Sequence, residues 1–66
     1  MQTEAILLTL NEAAARIGIS PWTLKKWRGH GIGPKFVRLG GKLGPVRYRP
    51  IDLDIYVSGA VVDPSA

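Results

Sequence analysis

The four residues Gly18-Ile19-Ser20-Pro21 constrain this chain more than any other stretch, because they end one helix and begin another with almost no chain between. Glycine enters the left-handed conformation that closes a helix without steric cost. Serine caps the next helix by accepting from its free amides, and proline is preorganised for the first helical position. So short a break makes the two helices turn sharply on each other.

The residues on either side agree with this reading. Thr9 is placed to cap the first helix, with Glu12 three residues on to reach back to the Thr9 amide. Leu8 sits where a hydrophobic staple would contact Ala13. Leu10, Ala13, Ala14 and Ile17 repeat at helical spacing and give one apolar face. Ala14 is the small residue that a steep helix crossing needs. Ile19 plugs the turn, and Leu24 and Trp27 form the edge that closes the second helix on the first. This is a helix-turn-helix pattern, and a generic helical hairpin is the plain alternative. The second helix ends around Gly29-His30-Gly31.

Two short runs follow. Lys35-Phe36-Val37-Arg38-Leu39 and Val46-Arg47-Tyr48-Arg49 flank the glycine-rich segment Gly40-Gly41-Lys42-Leu43-Gly44-Pro45 and predict a two-stranded hairpin. Alternation puts Val46 and Tyr48 toward the core and Arg47 and Arg49 outward. Pro50 opens a third helix with Leu53, Tyr56 and Val57 as its stripe, Ile51 at the edge, and Asp52 and Asp54 near the positive end of its dipole. Gly59 ends it. The expected organisation is a leader over 1–7, one domain over 8–59 and a tail over 60–66.

Charge separates along the chain. All nine lysines and arginines lie between Arg16 and Arg49, while the five acids, Glu4, Glu12, Asp52, Asp54 and Asp63, lie outside that interval. A basic middle without carboxylates is an electrostatic footprint for a polyanion. Other classes recede. At 66 residues there is little room for a deep, water-excluding active site. No cysteine is present, and His30 is the single histidine, so neither a cysteine nor a multi-histidine metal site is expected. No nucleophile–base pair stands out, Gly40-Gly41 and Gly44 do not make a phosphate loop, and no enzyme activity, cofactor or metal is expected. The lack of a membrane-length apolar run or signal peptide predicts a soluble, cytoplasmic protein with no membrane partner.

The second helix and the hairpin carry the candidate site. With Leu24 and Trp27 inward, Trp22, Lys25 and Lys26 occupy the opposite face, with Thr23 and Arg28 at its flanks and Ser20 at its start. Such a face, spanning 20–28, enters the DNA major groove, where lysine reads guanine or contacts phosphate and Thr23 bonds a phosphate or touches a thymine methyl. Trp22 either lies on the sugar–phosphate backbone or groove, or covers the hairpin. The hairpin over 35–49 adds Lys35, Arg38, Lys42, Arg47 and Arg49 as a basic wing for the neighbouring minor groove or its phosphates.

Leu8-Thr9-Leu10-Asn11-Glu12-Ala13-Ala14, then Gly18-Ile19-Ser20, resembles the opening of the excisionase-type, MerR-like winged-helix DNA-binding family. The resemblance continues through Gly33-Pro34-Lys35-Phe36-Val37-Arg38-Leu39-Gly40 and Val46-Arg47-Tyr48-Arg49-Pro50-Ile51-Asp52-Leu53. It implies an α+β, mainly α, winged helix-turn-helix with three short helices and a two-stranded β-hairpin wing. It also implies the role of a temperate-phage excisionase, a recombination directionality factor. Such a protein binds and bends attachment-site DNA and directs a phage integrase toward prophage excision, with no catalysis of its own. By position, the major-groove role falls on Trp22, Thr23, Lys25 and Lys26, and the wing role on Arg38, Lys42 and Arg47. The longer turn 41–45 departs from the family pattern.

The expected partners are double-stranded DNA, the integrase and further copies of the chain. A lone domain touching few phosphates binds weakly at physiological salt, and neighbours raise effective concentration. Copies are therefore expected head to tail on DNA, with Glu4, Asp52, Asp54, Asp63 or Ile55 meeting the next copy. A transcriptional regulator of the same fold and a protein–protein adaptor are the alternatives.

Overall fold

A computed structural model describes residues 6–64. It contains α1 (Leu10–Ile17), α2 (Pro21–Gly29), β1 (Val37–Arg38), β2 (Val46–Arg47) and α3 (Pro50–Gly59). The chain is thus a small, mostly helical α+β structure with a two-stranded antiparallel sheet. The leader residues 1–5, including Glu4, and the last two residues of the tail lie outside the described part. Among the described residues no helix is long and apolar enough to cross a membrane.

Both ends of α1 form as the residue types dictate. The Thr9 hydroxyl accepts from the Glu12 amide at 3.2 Å, and the Thr9 amide donates to Glu12 Oε1 at 2.9 Å. A cap of this kind is worth about 1 kcal/mol. Gly18 closes the helix at φ 79°, the left-handed region that a side chain would resist. The Ile19 amide then donates to the Ala14 carbonyl at 3.0 Å, which turns the chain into α2. There the Ser20 hydroxyl accepts from the Thr23 amide at 3.1 Å, with Pro21 at the first position.

The core draws on every layer. Ala13 and Ala14 from α1, Leu24 from α2, Tyr48 from the hairpin and Leu53 from α3 are all buried, with Leu8, Leu10, Ile17, Ile19, Trp27 and Val46 packed around them. The two alanines leave α1 room to contact both α2 and α3. Trp27 is half-buried and reaches α3, where its ring lies 5.9 Å from that of Tyr56. Gly33, at φ 89°, passes so close beneath Trp27 that a β-carbon would stand 3.1 Å from the indole.

The strands are shorter than the runs 35–39 and 46–49 predict. Val37 pairs with Arg47 and Arg38 with Val46. Beyond Leu39, Gly40 and Gly41 take φ values of 73° and 118°, outside the extended region. At the other end the antiparallel alternation decides. One step along the register from Arg47, the hydrogen-bonding groups of Tyr48 point away from β1. They meet Leu8 instead, whose amide and carbonyl each bond Tyr48 at 2.8 Å. Leu8 is therefore a sheet partner as well as part of the packing around the core.

The stripe of α3 is also narrower than expected. Leu53 is fully buried and Tyr56 half-buried, but Val57 is 46% and Ile51 55% exposed. The side chain next to Leu53 on the inside is Asp52, which is 6% exposed.

Candidate nucleic-acid interface

The outward face of α2 carries Trp22, Lys25, Lys26 and Gly29 at helical spacing, and with His30 these line one shallow depression. Leu24 anchors the opposite face in the core. Lys26 Nζ stands 5.0 Å from the centroid of the Trp22 ring, so the cation sits over the aromatic face. Trp22 is 69% exposed, which leaves it as a free platform and not a cover for the hairpin. Lys25 and Lys26 are exposed beside it.

The flanks of this face are less available than the sequence suggests. Ser20 caps the helix and also donates from its hydroxyl to Thr23 Oγ1 at 2.9 Å. Thr23 is half-buried. Arg28 is half-buried, and its charge acts on the Tyr48 hydroxyl. Burial pushes the Tyr48 hydroxyl above its ordinary pKa, and Arg28 offsets part of that rise.

The register distributes the hairpin cations over two faces. Residues directly opposite in an antiparallel pair share a face, and successive residues alternate. Arg38 shares the face of Val46, while Arg47 shares that of Val37. Arg38 arches over the Phe36 ring at 5.8 Å and donates from Nη1 to the Gly44 carbonyl at 3.1 Å. Arg47 is half-buried and donates from Nη1 to the Val46 carbonyl at 2.8 Å. Lys35 and Lys42 are exposed, Lys42 at the tip.

Arg49 does not project outward as a free cation. Its Nε and Nη2 donate to Asp52 Oδ2 at 2.7 Å and Oδ1 at 2.8 Å. These bonds hold the Asp52 carboxyl below the usual carboxylate range against the effect of burial, with Lys35 adding to the pull. The Arg49-Pro50-Ile51-Asp52 spacing is the signal that could have revealed it. A residue at the N-cap and one three places on lie side by side, as in a capping box, and opposite charges there pair. Likewise Arg16 meets Asp54 at 3.5 Å across α1 and α3. Asp52 and Asp54 are thus engaged within the chain, whereas Ile55 is 62% exposed.

Among the described residues no group of three or more histidine, cysteine or acidic side chains is placed to hold a metal ion. In comparisons with known proteins, no family model, no curated protein and no solved structure matches this chain.

Proposed function

We propose that this chain is a winged-helix, sequence-specific architectural DNA-binding protein of the excisionase type, with α2 in the major groove and the hairpin as its wing. The observation that carries this reading is the outward face of α2. Trp22, Lys25 and Lys26 stand exposed together on a helix whose other side is locked into the core by Leu24. A rigid element presenting cations and an aromatic plane suits a polyanionic groove. The resemblance to excisionases, carried by the motifs around Leu8–Ser20 and Gly33–Leu53, supplies the biological role: bending attachment-site DNA so that an integrase excises a prophage. Several copies act together on that DNA. With Asp52 and Asp54 held in the chain, the exposed Ile55 is the better candidate contact between neighbours.

The base-reading and phosphate-binding roles fall on Trp22, Thr23, Lys25 and Lys26 from α2, and on Lys35, Arg38, Lys42 and Arg47 from the wing. Arg28 flanks the α2 face, while Ser20 and Arg49 serve the fold. The test is a footprint on attachment-region DNA combined with titrations over a range of salt. Binding whose log K falls by about 0.9 per phosphate for each decade of salt supports the reading. Salt-independent or absent binding points to the protein–protein adaptor. Promoter occupancy without any effect on integrase-driven excision points to a transcriptional regulator.

A further inference from the structure

We infer that Leu43 is an apolar wedge that enters a base step of the minor groove and kinks the DNA. The inference rests on the DNA-binding reading above and adds to it a mechanism and a residue. The geometry lies at the tip of the hairpin. The Gly44 amide donates to the Gly41 carbonyl at 3.0 Å, so Lys42 and Leu43 are the two corner residues of a β-turn. Leu43 is 97% exposed, more than any other large apolar residue among those described. It makes no contribution to the core and stands at a corner of the turn.

Exposed leucines are common and by themselves say little. Three features set this one apart. The first is rigidity. The Leu39 amide donates to the Pro45 carbonyl at 2.9 Å, Arg38 Nη1 donates to the Gly44 carbonyl at 3.1 Å, and Pro45 has a fixed φ. The tip is braced from both strands. The second is close packing beneath it. Gly44 runs so tightly under the Leu39 carbonyl that a β-carbon would collide with it. Only glycine fits at position 44 of this turn, which leaves Leu43 at its corner. The third is charge. Lys42 precedes Leu43, and Arg38 lies beneath, so cations flank the apolar point.

A wedge needs each of these. Cations hold the tip against phosphates or in the negative potential of a narrow groove. A stiff support transmits force to the step. A leucine side chain is of a size and type that separates stacked bases and bends the duplex by about 20–90°. Unstacking the step is unfavourable, and the contacts that the bent duplex permits offset it. Removing the side chain therefore reduces the bend.

The experiment uses the full chain and a duplex recovered by selection from a random-sequence pool. The duplex carries a fluorescent donor and acceptor at its ends, and 2-aminopurine is moved through successive steps. Wild type is expected to shorten the end-to-end distance and brighten 2-aminopurine at one step beside the wing. Leu43→Ala is expected to lose most of both signals while its salt slope stays near wild type, because an apolar side chain neutralises no phosphate. Leu43→Met, which keeps an apolar tip, is expected to retain them. Because Leu43 is exposed, both variants should keep the wild-type melting temperature, which is checked in parallel. A Leu43→Ala protein that bends and unstacks the duplex as wild type does overturns the wedge and leaves the DNA-binding reading intact. Failure of wild type to enrich or bind any duplex overturns both.

Discussion

The guanidinium of Arg49 grips the buried carboxylate of Asp52 with two parallel hydrogen bonds of 2.7 and 2.8 Å, at the point where the hairpin becomes α3. A bidentate pair of this kind is directional as well as strong, so it sets the angle at which the helix leaves the strand. It also takes one arginine out of the set available to a polyanion.

That pair should appear in the pH dependence of stability. The Asp52 pKa is lowered in the folded chain, so the contribution of Asp52 is present above the ordinary carboxylate pKa of about 3.9 and lost as pH falls through the folded value. Arg49→Gln should destabilise the domain at neutral pH and flatten this acid limb, as followed by thermal melts between neutral and acid pH. Tyr48 acts at the other end. Its raised pKa gives stability that is full below about 10 and declines as pH climbs toward the folded value. Tyr48→Phe should remove that alkaline decline.

The same pair distinguishes an arginine held within the fold from those proposed to face DNA. Arg47→Ala is expected to reduce the salt slope of DNA binding by about one unit. The double variant Arg49→Gln with Asp52→Asn removes one charge of each sign and should leave the slope unchanged. Equal slopes for Arg47→Ala and wild type would argue that the wing is clear of the phosphates.

On α2, Lys26→Ala is expected to weaken binding to a selected site by about 1–3 kcal/mol and to relax preference at one position. Lys26 also sits over Trp22, so Trp22→Ala should weaken binding too, without lowering the melting temperature. Competition binding against single-base variants of the site is the measurement. Unchanged discrimination in Lys26→Ala would assign that lysine to phosphate contact alone.

Core truncation tests the architecture. Leu24 is fully buried, and Leu24→Ala should cost about 2–5 kcal/mol. Domains this small have only a few kcal/mol of stability, so loss of the cooperative melt is expected. Trp27 is half-buried between α2 and Tyr56, so Trp27→Phe should fold with a lower melting temperature.

Gly44→Ala addresses the turn alone. The added methyl meets the Leu39 carbonyl, and the turn must open to admit it. The expected result is faster hydrogen exchange at the Leu39 and Gly44 amides, with the amides of α1 unaffected. Slow exchange at both amides would show that the turn accommodates the methyl.

The helices were legible in the sequence because their signals are local. Thr9 with Glu12, Gly18, and Ser20 with Pro21 each act within one turn of chain, and each does in the structure what its type suggests. The site was only partly legible. Trp22, Lys25 and Lys26 could be placed on one outward face from spacing alone. Arg49 could not, because its destination depends on a carboxylate that the third helix brings to it and buries. Charge counting treats every arginine as solvated, and a tertiary partner overrides that. The strand lengths were not legible for a related reason. Alternation of side chains says which face a residue occupies, but not which neighbour receives its amide.

The bridge between Leu8 and Tyr48 carries a consequence for how the molecule assembles. It joins a residue just before α1 to one just before α3, closing a loop that contains both helices of the turn and the whole hairpin. Contacts that distant are reached only after the chain between them has lost its freedom. The helical pair can form early from its own caps, whereas the edge of the sheet waits for the two ends of the loop to meet. Cutting the chain back past Leu8 would therefore leave α1 and α2 able to nucleate, and would slow and loosen the hairpin, distant along the chain but bonded to Leu8 through Tyr48.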